Sequence, residues 1–71
     1  MNRIKEVLNE KGIKQTWLAE RLNKSFSIVN DYCNNRRQPS LEILFEIAEQ
    51  LNIEVKDLIN ENIGNGKKER N

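Results

Sequence analysis

A chain of 71 residues with a formal net charge of +1 has room for one small domain, close to the lower size at which burial alone sustains a fold. It has no histidine and a single cysteine, Cys33, which removes the commonest general base and any internal disulfide or thiol pair for zinc, and which fits a reducing compartment. Its glycines are too scattered for a phosphate loop, no apolar run nears the ~18 residues of a membrane span, and MNRIKEVLNE is amphipathic rather than signal-like. The expectation is a cytoplasmic domain that is not an enzyme, with no cofactor, metal site or small-molecule ligand.

The apolar period is helical from the start. Ile4, Val7 and Leu8 fall at i, i+3, i+4, so residues 2–11 read as a helix closed by Gly12 in the left-handed region. Leu18, Ala19 and Leu22 place a second helix over about 15–22. Ser25 caps a third over about 26–33, with Val29 and Tyr32 inward, Cys33 as a small apolar filler, and Asn35 able to end it. Pro39 blocks an early restart and Ser40 caps the longest helix, whose stripe is Leu41, Leu44, Ala48 and Leu51, widened by Phe45 and Ile47. Val55, Leu58 and Ile59 predict a short fifth helix. No segment alternates with period two, so the class is all-α: five helices crossing at large angles around one core. The domain is expected over 1–62, and the polar segment 63–71 is expected to be a disordered tail.

Charge is uneven along this scaffold. Residues 1–40 hold eight Lys/Arg against four acids, whereas residues 41–61 hold six acids against Lys56 alone. Such a split points to one basic and one acidic face, and the acids Glu42, Glu46 and Glu49 read as a solvated helix surface.

Residues 15–34 have the layout of a helix-turn-helix. Ala19 is small where two helices approach, Asn23 suits a positive φ at the turn, and Val29 and Tyr32 anchor the second helix on the first. In that arrangement the N-terminal residues of the second helix face base edges in the major groove. With GIKQTWLAERL (12–22), KSFSIVNDY (24–32), NNRRQPSLEILFEIAEQLNI (34–53) and VKDLI (55–59) in this order, residues 12–59 resemble the small helix-turn-helix regulators of the phage lambda repressor and Cro class, the Xre family. The resemblance implies a five-helix fold, sequence-specific binding to duplex DNA, usually as a dimer, and transcriptional control. Lys14 departs from a frequent capping Thr or Ser, Asn23 and Asn35 stand for glycines, and Asp31 puts an acid in the reading helix.

The expected contacts divide into two sets. Phe26 would meet thymine methyls, Ser27 a base or phosphate, and Asn30 an adenine bidentately. Asp31 would accept from a cytosine amine or, as the favoured alternative, pair with a neighbouring cation. Gln15, by resemblance, contacts a phosphate and supports the reading helix. Arg36 and Arg37 would hold phosphates from the loop after that helix, with Lys14 and Lys24 adding attraction. Trp17 either packs over the first helix or stands partly exposed as an anchor for another chain. Val55, Leu58, Ile59 and Ile63 offer more apolar surface than one small core needs, and so are the expected homodimer interface. The leading expectation is a regulator, acting by repression. The alternatives are a protein-interaction module, or an antitoxin or restriction–modification controller.

Overall fold

The computed structural model describes residues 1–59. The expected tail, Ile63 and the expected domain boundary lie outside them. Four α-helices follow in order: α1 (Ile4–Lys11), α2 (Gln15–Leu22), α3 (Phe26–Cys33) and α4 (Leu41–Leu51). The described residues contain no β-strand, only an isolated antiparallel bridge between Asn2 and Ile59. No described helix is long and apolar enough to cross a membrane.

Each α-helix is stopped by the same local chemistry. Gly12, Asn23, Asn35 and Asn52 take φ between 57° and 69°, and the residue after each donates its N–H back across the final turn. Those bonds run from Ile13 to the Leu8 carbonyl, Lys24 to Ala19, Arg36 to Asp31 and Ile53 to Ala48, all 2.9–3.0 Å long. The left-handed residue reverses the chain while the freed carbonyls keep partners. Only at Gly12 is the missing Cβ used for this; asparagine, the best-tolerated alternative, serves at the other three. The helix starts differ. Ser25 Oγ and Ser40 Oγ accept from the N–H of Ile28 and Ile43, both at 3.2 Å, whereas Lys14 gives α2 no side-chain cap.

The core gathers one stripe from each helix: Ile4, Val7 and Leu8; Leu18, Ala19 and Leu22; Val29, Tyr32 and Cys33; Ile47, Ala48 and Leu51, with Leu58 beneath them. Two expectations need correction here. Leu41 and Phe45, placed on the inward stripe of α4, are 64% and 57% exposed; Ile47 is the residue that seats this helix, with Ile43 and Leu44 half-buried beside it.

The expected fifth helix is a single 3-10 turn, Val55–Leu58. Four residues cannot offset the cost of nucleating an α-helix. Ile59 beyond them is extended, which lets the Leu58 carbonyl take the Arg3 N–H at 2.8 Å. The same contact holds residues 2 and 3 out of α1, which begins at Ile4 rather than at residue 2.

Candidate nucleic-acid interface

The turn Asn23-Lys24-Ser25 sets α2 against α3, so that Val29 and Tyr32 face inward while Phe26 and Ser27 stand at the free start of α3. Phe26 is 50% exposed and Ser27 is exposed. A phenylalanine left half in solvent at a helix start costs apolar burial that the fold does not recover.

The structure draws four of the expected residues into one hydrogen-bonded chain. Asn30 Nδ2 donates to Gln15 Oε1 at 2.9 Å. Asn30 Oδ1 accepts from Arg36 Nη2 at 2.8 Å, and Arg36 Nε donates to Asp31 Oδ1 at 3.0 Å. A guanidinium has donors only, so the Asn30 atom facing Arg36 must be its oxygen. That leaves the Asn30 amino group for Gln15, and Gln15 must therefore answer with its carbonyl. Gln15 is thus held by its carbonyl, and its own NH2 makes no hydrogen bond among the described residues. Asp31 makes the ion pair favoured above. Its carboxylate is half-buried, and the bond fixes the plane of the guanidinium at the end of α3.

Around this chain stand the remaining cations. Arg37 is exposed and makes no side-chain hydrogen bond or ion pair among the described residues; Lys14 is exposed and Lys24 half-buried. The loop carrying both arginines is tied down by main-chain bonds from Arg36 and Arg37 N–H to the Asp31 carbonyl, 2.9 and 3.3 Å. Trp17 is 40% exposed, with the Arg21 guanidinium carbon 5.5 Å from its ring centroid. Arg21 also bonds Gln50 of α4 at 3.0 Å. Trp17 is thus partly exposed, it lines a groove with Gly12 and Ile13 at the end of α1, and the stacked cation covers one face of its ring.

Cys33 is buried, and burial pushes its thiol up to about 11. It is a neutral apolar filler rather than a nucleophile. Of the expected dimer residues, Leu58 has no exposed surface at all, Val55 is half-buried and Ile59 is 38% exposed. Leu58 therefore completes the core of its own chain, while Ile59 remains available.

One feature escaped the sequence reading altogether. Asn2 is 4% exposed, the one buried polar side chain among the described residues, and it bonds residues of the arginine loop 33 and 36 positions away. Its one local bond, from the Ile4 N–H to Oδ1 at the start of α1, is an ordinary helix-start contact, and its bonds to α3 and the loop lie with partners distant along the chain.

Comparison with known proteins bears on the family and the fold. A family model described as Helix-turn-helix (HTH_3) matches residues 4–58. Among solved structures, a "putative DNA-binding protein from Bacteroides fragilis" is 47% identical and superposes with a TM-score of 0.83. The match covers 84% of this chain and 97% of that one. No curated protein matches.

Proposed function

This chain belongs to the HTH_3 helix-turn-helix family, of the Xre and lambda repressor type, and on that premise we propose that it binds duplex DNA sequence-specifically and represses transcription from an operator. The observation that carries the reading is the chain of bonds from Gln15 through Asn30 to Arg36. It spends three polar side chains on fixing the Gln15 amide at the start of α2 and the Arg36 guanidinium beyond the end of α3. Donors held side by side along one helix suit neighbouring phosphate oxygens of the backbone that walls a major groove. The uncapped start of α2 adds free main-chain N–H groups, which suit a phosphate oxygen by geometry and dipole. The similar protein from Bacteroides fragilis is described as DNA-binding, which supports the same partner.

Within this proposal Phe26 and Ser27 read bases, and Asn30 acts differently from the adenine contact expected above. Each end of its amide already has one partner, so the amide is held in the plane that Gln15 and Arg36 set and its first task is to fix them. Selection of bound sites from randomised duplexes tests this division. Phe26→Ala and Ser27→Ala should relax preference at one or two positions, by about 1–3 kcal/mol where a base contact is lost. Asn30→Ala should weaken all sequences together, since it frees Gln15 and Arg36. A site profile untouched by both Phe26→Ala and Ser27→Ala would remove α3 as the reader.

The proposal extends to a two-fold dimer. One reading helix discriminates poorly among genomic sites, and two placed about 34 Å apart would match an inverted repeat. Ile59 and Val55, with exposed Phe45 nearby on the groove that Val55 and Ile53 also line, are the apolar groups available for it. Ile59→Glu should shift sedimentation at micromolar concentration from dimer to monomer and weaken binding to a full inverted repeat. A wild-type monomer that protects only one half-site would overturn the dimer.

A further inference from the structure

We propose that Asn2 is a positioning residue for DNA binding: it fixes Asn35 and Gln38, which bracket Arg36 and Arg37, so that the loop is already shaped for its phosphates before DNA arrives. The inference rests on reading Arg36 and Arg37 as phosphate contacts. Asn2 N–H donates to Asn35 Oδ1 at 2.9 Å, and the Asn2 carbonyl accepts from Asn35 Nδ2 at 3.3 Å. Its side-chain Nδ2 donates to the Tyr32 carbonyl and to Gln38 Oε1, both at 3.0 Å, while Oδ1 accepts the Ile4 N–H at 3.0 Å. Gln38 Nε2 closes the triangle on Asn35 Oδ1 at 2.9 Å.

A buried amide is stable only when its donors and acceptor are all used, and here they are. What they are used on is the informative point. An apolar residue at this place would bury the same area but would leave the Ile4 N–H and the Tyr32 carbonyl without these partners. An amide with one arm on the end of α3 and another on Gln38 also spans the arginine loop from its first residue to its last. The loop's ends are thereby fixed from the N-terminal segment, and its middle from Asp31. A loop ordered in advance does not lose its conformational freedom on binding, so each arginine contact contributes more to affinity.

The test severs the bracket without touching the arginines. Gln38→Ala removes one side of the triangle, and Asn35→Gly keeps the left-handed backbone while deleting the side chain. Binding to a mixed-sequence duplex is measured by fluorescence anisotropy in two backgrounds, with Arg36 and Arg37 present and with both replaced by alanine. Each bracket variant, and Asn2→Ala, should lower affinity about three- to tenfold when the arginines are present. In the alanine background the same changes should alter affinity less than about twofold, because the bracket acts through the arginines. Amide hydrogen exchange at Arg36 and Arg37 should also accelerate in Gln38→Ala. Equal losses in both backgrounds would mean a merely structural role and would overturn the proposal, as would no loss in either. Unchanged affinity on removing the two arginines would overturn the phosphate reading itself, and positioning for DNA with it; exchange at the two amides would still report whether the bracket orders the loop.

Discussion

Replacing Arg36 and Arg37 together by alanine should weaken binding to every duplex about ten- to a hundredfold, from the loss of charge-assisted bonds. The log of affinity should also fall less steeply with log salt, by roughly one to two units of slope, one for each phosphate released. The two arginines should not contribute equally. Arg37 has no side-chain partner among the described residues, so its replacement removes a phosphate contact and little else. Arg36 is bonded to Asp31 and Asn30. Its replacement removes a phosphate contact, uncovers the Asp31 carboxylate beside the DNA backbone, and loosens Asn30 and Gln15 behind it. Arg36→Ala should therefore be the costlier single change. Adding Asp31→Asn to Arg36→Ala should recover part of the loss by removing the exposed negative charge. Anisotropy titrations over a salt series measure all four variants. An unchanged slope in the double variant would take the loop out of the interface, and failure of Asp31→Asn to rescue would dismiss the carboxylate's part.

The helix-turn-helix was legible in the sequence because its determinants are local. Ser25 as a cap, Asn23 and Asn35 in the left-handed region, and the inward Val29 and Tyr32 act within a few residues of themselves, and the bounds of α2 and α3 follow from them. Asn52 uses the same left-handed device at the end of α4. The residues of the candidate interface could be named from the sequence one by one, whereas their hydrogen-bonded network could not. Helical spacing brings Asn30 and Asp31 together near the loop of Arg36, and the family resemblance adds Gln15. That Asn30 lies between a donor-only guanidinium and a glutamine depends on how α2 and the loop pack, which no periodicity encodes. Asn2 is the extreme case, since its hydrogen-bond partners in α3 and the loop lie 30 or more residues away. The fifth helix failed for a related reason. Val55, Leu58 and Ile59 have helical spacing, but the bond from Arg3 to the Leu58 carbonyl draws the chain into an extended path.

The register of α4 gives the largest effect on stability. Ile47 has no exposed surface and belongs to the core cluster that the four helices and Leu58 share, so Ile47→Ala should remove about 2–5 kcal/mol through lost transfer energy and the cavity left behind. A domain this small lies near the bottom of the ordinary range of about 5–15 kcal/mol, and the variant should be largely unfolded well below the melting temperature of the parent. Leu41→Ala and Phe45→Ala are the informative contrasts. Hydropathy puts both on the same helix as Ile47, yet both are more than half exposed, so each should change monomer stability by no more than about 0.5 kcal/mol. Urea denaturation at two protein concentrations separates the cases. Ile47→Ala should be destabilised at both. If Phe45 packs against a second copy, Phe45→Ala should instead lose only the concentration-dependent part of its stability, because association adds to the folded state by mass action. A Phe45→Ala variant as damaged as Ile47→Ala at the lower concentration would place Phe45 in the core of the single chain, and the register of α4 would have to be redrawn about Leu41 and Phe45.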